Sequence, residues 1–210
     1  MYFIDTHSHI YLPEFDNDRE KVIEHAINNQ VEKIMLPNID SSYAEALHKL
    51  CKTYPENCYP LMGLHPGSVK KNYKEELRFV ENQLQNNNYY GVGEIGIDLY
   101  WDTTYKNEQI EALKHQLILS AKHHLPVVIH VRNAFDDVFR AIKEVAIPDL
   151  FGIFHSFTGN QKQAQKILSL NFSIGINGIL TFKNSGLDQI IKNIDLKHIV
   201  LETDSPYLAP

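Results

Sequence analysis

The sequence predicts an α/β protein, a (β/α)8 TIM-type barrel that lacks its last outer helix. Three observations predict it. Eight short runs rich in β-forming residues recur along the chain. A longer segment of helical period follows each of the first seven. The runs are apolar on both faces, as in a parallel sheet covered by helices. Eight such units favour a closed barrel over an open doubly wound sheet.

Taken in order, the aromatic and β-branched start at 2–6 is the first strand, and 16–30 is its helix. The second pair is 33–36 and 42–54, with Ser41 or Ser42 placed to cap the helix. Strand 58–64 precedes helix 74–85, and strand 89–97 precedes the longest helix, 107–124. Strand 126–131 is nearly all apolar and leads into helix 134–145. Strands 150–155 and 172–177 are followed by helices 161–170 and 187–193, and 198–203 is the eighth strand. No linker or low-complexity tract interrupts the series, so residues 1–210 read as one barrel domain. A full barrel takes about 250 residues. The expectation is therefore that a C-terminal part is missing.

Composition narrows the function classes. With 43% hydrophobic and 22% charged residues, the chain is of ordinary globular make-up. No apolar run reaches the roughly 20 residues that span a bilayer. The N-terminus has no signal-peptide pattern, and Cys51 and Cys58 match no zinc or redox spacing. A cytoplasmic location without membrane attachment is expected. A net charge of −6 argues against non-specific coating of nucleic acid, but it leaves room for an enzyme that holds one phosphate in a metal site.

Such barrels carry their sites at the C-terminal ends of the strands. His7 and His9 share a face there, because side chains alternate along a strand. Glu94 ends the fourth strand, His130 the fifth, His155 the sixth and Asp204 the eighth. Polar groups inside apolar strands are costly unless paired or bound to a metal. Four histidines and two carboxylates exceed what one tetrahedral ion needs and suit two ions, with Glu94 as the bridge. His25, His48, His115, His123, His124 and His198 fall in helices or at a strand start and have no reason to converge.

Further candidates surround this set. Asp5 and Glu202 share parity with His7 and Asp204, and they are placed to orient an imidazole or neighbouring base. Arg132 faces the same mouth, where a guanidinium suits a phosphate. His65 is placed to donate to a phosphate or approach a metal. Tyr100 and Trp101 follow on the fourth loop, placed to stack on a nucleobase.

The chain resembles the TatD family of metal-dependent deoxyribonucleases, a branch of the amidohydrolase-like barrels. The resemblance rests on Asp5-Thr6-His7-Ser8-His9, Gly63-Leu64-His65-Pro66, Gly93-Glu94-Ile95-Gly96-Ile97-Asp98, Pro126-Val127-Val128-Ile129-His130, His155-Ser156-Phe157-Thr158-Gly159 and Leu201-Glu202-Thr203-Asp204-Ser205-Pro206, in family order. It implies metal ligation by His7, His9, Glu94, His130, His155 and Asp204. It also implies hydrolysis of DNA phosphodiesters, commonly as a 3′-to-5′ exonuclease acting on single strands or 3′ ends.

The cofactor expectation is two divalent ions, magnesium, manganese or zinc, with Asp204 and Glu94 catalytic and a metal-activated water as nucleophile. Two alternatives remain at this point. One is an amidohydrolase-type hydrolase of a small amide, lactone or phosphoester. The other is an inactive barrel scaffold.

Overall fold

Parallel pairing organises the molecule, whose structure, a computed structural model, describes residues 2–207. The strands are β1 (Phe3–Asp5), β2 (Val31–Pro37), β3 (Cys58–Leu61), β4 (Val92–Asp98), β5 (Val127–Arg132), β6 (Gly152–Phe154), β7 (Phe172–Ile176) and β8 (Ile199–Leu201). The helices are α1 (Arg19–Asn28), α2 (Ala44–Thr53), α3 (Tyr73–Asn86), α4 (Lys106–His123), α5 (Phe135–Val145), α6 (Gln161–Ser169) and α7 (Leu187–Ile191). They alternate as the sequence predicts. Among the described residues no helix follows β8.

The strands pair in parallel order, β1-β2-β3 and β4-β5-β6-β7-β8. Backbone bonds cross both seams. Between β3 and β4, the Gly93 amide donates to the Met62 carbonyl at 3.1 Å and the Met62 amide to Gly91 at 3.2 Å. Between β8 and β1, the Thr6 amide donates to the Leu201 carbonyl at 3.0 Å. These bonds join the two sheets at both seams, as a barrel requires. The matching of Gly96 to His130 and of Asp98 to Arg132 then fixes β4 against β5.

Gly96 shows why that register holds. Its φ is +149°, and a Cβ there would lie 1.9 Å from the His130 carbonyl oxygen. Only glycine lets β5 approach so closely.

Several predicted boundaries shift for local reasons. The first helix starts at Arg19 rather than 16, because Pro13–Phe15 forms a separate 3₁₀ turn. Arg19 ties that turn down, donating to the Ile10 and Leu12 carbonyls, each at 2.8 Å. Neither Ser41 nor Ser42 caps α2, which starts after Tyr43. The Ser41 hydroxyl donates to Glu76 at 2.9 Å, and Asp40 takes both the amide and the hydroxyl of Ser42. The third strand's ladder ends at Leu61, the fourth starts at Val92, and the eighth covers only 199–201.

Two apolar clusters build the core. The larger joins β4 to β7 with α3 to α6 through Ile95, Ile97, Leu113, Leu117, Phe154 and Phe172, all nearly inaccessible. The smaller seats α1 and α2 on β2 through Ile23, Ile34, Leu36 and Leu47. Among the described residues no helix is long and apolar enough to cross a membrane.

Candidate metal centre

At the mouth formed by the C-terminal strand ends, six side chains from five strands meet: His7, His9, Glu94, His130, His155 and Asp204. Main-chain bonds hold their carriers together. The His9 amide donates to Ser205 at 2.8 Å, the Asp204 amide to His7 at 2.8 Å, and the His155 amide to Ile129 at 3.1 Å. Ser156 and Asp204 adopt positive φ values of 46° and 58°. Non-glycine residues rarely do so outside functional sites and tight turns.

Glu94 sits at the centre, 2% exposed. Its Oε2 lies 3.1 Å from His7 Nε2 and 3.4 Å from His9 Nε2. Its Oε1 lies 2.8 Å from both His130 Nδ1 and His155 Nε2. Asp204 Oδ1 closes the first group, 3.6 Å from His7 and 3.8 Å from His9. The donors thus divide into two sets that share one carboxylate. Three groups are compact enough to hold an ion: His7–His9–Glu94, His65–Glu94–His130, and His7–His155–Asp204, the last of which draws on both sets.

The hydrogen bonds decide which ring nitrogens are bare. The Tyr11 hydroxyl donates to the Pro37 carbonyl at 2.7 Å, so it accepts the Nδ1 proton of His9 at 3.0 Å. That leaves His9 Nε2 as a lone pair, 3.1 Å from His7 Nε2. His130 lies between two carboxylates, its Nε2 3.1 Å from Asp98 Oδ2 and its Nδ1 2.8 Å from Glu94 Oε1; burial opposes its charge, but these two partners raise its pKa above the ordinary value. Lone pairs and carboxylate oxygens crowded this closely repel unless a cation lies between them. The donor set therefore fits divalent ions with a mixed nitrogen and oxygen preference.

Burial and neighbours shift the acidities. Burial opposes charge on Glu94, but His155, His65 and His7 outweigh it and hold the carboxyl well below its usual range. Burial, reinforced by His155, drives His7 well below its ordinary value. Burial also opposes the charge on His155, yet Glu94 and Glu202 hold it well above. Burial raises Asp204 to about 6.

The other predicted residues take distinct places. Glu202 Oε1 accepts the Ser156 amide at 2.5 Å and stands 3.7 Å from His155 Nδ1, beyond hydrogen-bond length but beside the ring. Gly175 makes room for it, since a Cβ there would lie 2.4 Å from Glu202 Oε2. Asp5 meets no imidazole nitrogen. It binds the His7 amide at 3.2 Å, the Thr203 amide at 3.0 Å and the Thr203 hydroxyl at 2.6 Å, so it fastens β1 to the segment after β8.

His65 Nδ1 accepts the Gly67 amide at 2.9 Å. In the neutral ring its proton then sits on Nε2, which faces Glu94 Oε1 at 3.4 Å. This tautomer makes His65 a donor at the mouth, and with Glu94 and His130 it also forms a group compact enough to hold an ion. Arg132 and the loop aromatics stand at the rim, with Tyr100 53% and Trp101 79% exposed. The non-cluster histidines stay apart from the site, and His48, for one, pairs with the Tyr89 hydroxyl at 2.6 Å.

Sequence reasoning missed the supports. Asp98 and Tyr11 fix two imidazoles, as above. From α4, Gln116 accepts the Leu64 amide at 2.7 Å and donates to the Leu64 carbonyl at 3.3 Å. Gln109 does the same to Asp98, at 2.9 and 3.2 Å. The two glutamines lie seven apart, one face of a helix, and act like an added strand for β3 and β4. That period was visible in the sequence, but its partners were not. A cavity of about 680 Å³ opens above the cluster, lined also by Lys70, Trp101 and Tyr105.

Comparison with known families agrees with this geometry. The family model described as TatD related DNase matches residues 4–210. The chain belongs to the TatD family. The metal-dependent hydrolase YabD of Bacillus subtilis is 31% identical over 207 residues, covering 98% of this chain and 81% of that TatD relative. The crystal structure of YjjV, a TatD homologue from Escherichia coli K12, superposes with a TM-score of 0.91 at 31% identity, covering 98% of this chain and 80% of that one. A protein of Pantoea sp. At-9b named 3′-5′ ssDNA/RNA exonuclease TatD is 28% identical over 200 residues, covering 94% of this chain and 76% of the relative. The TatD fold and a metal-dependent hydrolase family are thereby shown.

Proposed function

We propose that the protein hydrolyses DNA phosphodiester bonds, removing nucleotides from the 3′ ends of single strands with two divalent ions. The observation that carries this reading is the position of Glu94, whose two oxygens face two separate donor sets at 3.1 and 2.8 Å. His7, His9, Asp204 and Glu94 Oε2 would hold one ion, and His130, His155 and Glu94 Oε1 the other. Bound there, the ions would polarise the phosphoryl group and make a water more acidic. Manganese or zinc suits four imidazoles better than magnesium, which prefers oxygen.

The side chains supply the rest. Asp204 takes the proton of the attacking water on its carboxylate. Its place beside the first donor set, 3.6 Å from His7 and 3.8 Å from His9, puts that carboxylate next to where the water would be activated. His65 donates from Nε2 to a phosphate oxygen, and Arg132 offers its guanidinium to the same group. Asp98 keeps His130 turned toward Glu94, and the Glu202 carboxylate stands beside the His155 ring. Tyr100 and Trp101 offer exposed rings to a base. Water adds to phosphorus, the bond to the 3′ oxygen breaks, and the proton taken by Asp204 is returned to that oxygen, which leaves as a hydroxyl.

Two observations favour this over an amide or lactone hydrolase. The bridging position on β4 holds Glu94, and neither β4 nor β5 contains a lysine to serve as a modified bridge. The name of the Pantoea relative points the same way. Six intact donors speak against an inert scaffold. The test is a 5′-labelled single-stranded oligonucleotide incubated with metal-loaded protein, beside a panel of small amides, lactones and phosphotriesters. The expected result is a ladder shortening from the 3′ end, lost in Glu94→Ala and in chelator. Intact DNA alongside turnover of a small substrate overturns the reading.

A further inference from the structure

Two cations stand over aromatic rings on either side of the loop between β4 and α4. Arg132, at the end of β5, holds its guanidinium carbon 4.9 Å from the Tyr100 ring centroid. Lys70, beyond β3, holds Nζ 5.5 Å from that of Tyr105. Tyr100 and Tyr105 bound one short loop, and Trp101 within it is 79% exposed. Lys70, Trp101, Tyr105 and Arg132 all line the cavity whose floor is the Glu94 cluster.

The bland reading is a solvated rim. Most surface lysines are nothing more. Three features set Lys70 apart. Among the described residues no carboxylate lies within 4.0 Å of its Nζ; Asp102, on the same cavity wall, feels its charge from farther off and makes no direct ion pair with it. It shares one cavity with the cluster in a protein of net charge −6, where a cation facing the site is not the general rule. A large exposed indole, Trp101, lines the same cavity, and exposed aromatic rings are how single strands are gripped.

We propose that Lys70 binds the phosphate next to the scissile one and that Trp101 stacks the base between them. The substrate is then a single-stranded polynucleotide lying across the mouth, rather than a mononucleotide ester or an isolated diester. This rests on the phosphodiesterase reading above. His65 and Arg132 hold the scissile phosphate, and Lys70 with Trp101 adds the neighbouring nucleotide. Each added phosphate contact on a single strand steepens the salt dependence by about 0.7 in log–log slope.

The test compares kcat/KM for a thymidylate dinucleotide and tetranucleotide, with manganese-loaded protein, over a range of salt. The wild-type chain is expected to prefer the tetranucleotide by about tenfold or more. Lys70→Ala is expected to cut that preference about fivefold and lower the salt slope by about 0.7. Trp101→Ala is expected to cut the preference and leave the slope alone. Lys143→Ala, on the far end of α5, should match the wild type. Cleavage of both substrates with a preference and slope that Lys70→Ala leaves intact overturns this inference alone. Cleavage of neither overturns the phosphodiesterase reading, and this inference with it.

Discussion

His7 and His155 stack face to face, 3.9 Å between ring centroids with 12° between planes, and their basicities are driven apart. Burial and the partner ring hold His7 well below its ordinary value. His155 resists burial because Glu94 and Glu202 attract its charge, and it stands well above. The metal-free cluster thus carries its proton on one ring of the pair. With a folded pKa above 6.5, the His155–Glu94 attraction is fully present below that value and is lost as pH rises through the raised one.

Proton release on metal binding follows from that arrangement. At pH 7 an ion entering beside His155 must displace its proton. Calorimetric titration with manganese in two buffers of different ionisation enthalpy is expected to show net proton release. Apparent affinity should climb with pH until His155 is neutral. A binding heat independent of the buffer would contradict the assignment.

Tyr11→Phe removes the acceptor that fixes the His9 tautomer and leaves the fold's apolar contacts in place. Metal affinity is expected to fall about 10- to 100-fold. Equilibrium titration of the metal-free protein checks this, and the thermal midpoint should move little by comparison. Equal affinities for the two proteins would show that His9 needs no such support.

Gln116→Leu keeps the volume of a fully buried side chain but strands the Leu64 amide and carbonyl. The expected cost is about 2 kcal/mol. For a chain of this size, that lowers Tm by about 4–8 °C. Because Leu64 adjoins His65, KM for a phosphodiester should rise as well. A melting curve and a substrate titration read both effects.

How much of this was legible in the chain follows from what each residue depends on. His7, His9, Glu94, His130, His155 and Asp204 were readable because strand parity and strand-end position need only local pattern. Gln109 and Gln116 were not. Their targets lie 11 and 52 residues away along the chain, and only the docking of α4 on β4 shows which backbone they meet. Tyr11 reads as one more apolar residue until Pro37 comes within 2.7 Å of its hydroxyl. Asp5 is a related case. Its parity was right, but the segment after β8 supplies better donors than any imidazole does. Ser41 and Ser42 looked like caps because Asp40 and the distant Glu76 compete for hydroxyls in ways a window of sequence does not show.

Asp5 carries a stability prediction with a definite sign. Burial raises its folded pKa to about 6, above the ordinary 3.8, despite three donors. The folded state therefore holds more protons than the unfolded one between those values, and this group's contribution falls as pH rises through them. Asp5→Asn is expected to flatten that part of the stability curve. Asp5→Ala should cost about 2–4 kcal/mol at neutral pH by stranding the Thr203 donors. Urea unfolding from pH 4 to 7 measures both.

On the proposed function, Glu94 joins two metal sites. An anomalous-scattering map of crystals grown with manganese tests it most directly. Two peaks are expected, one among His7, His9, Asp204 and Glu94 Oε2, and one among His130, His155 and Glu94 Oε1. A single peak, or peaks that leave Glu94 unligated, would contradict it.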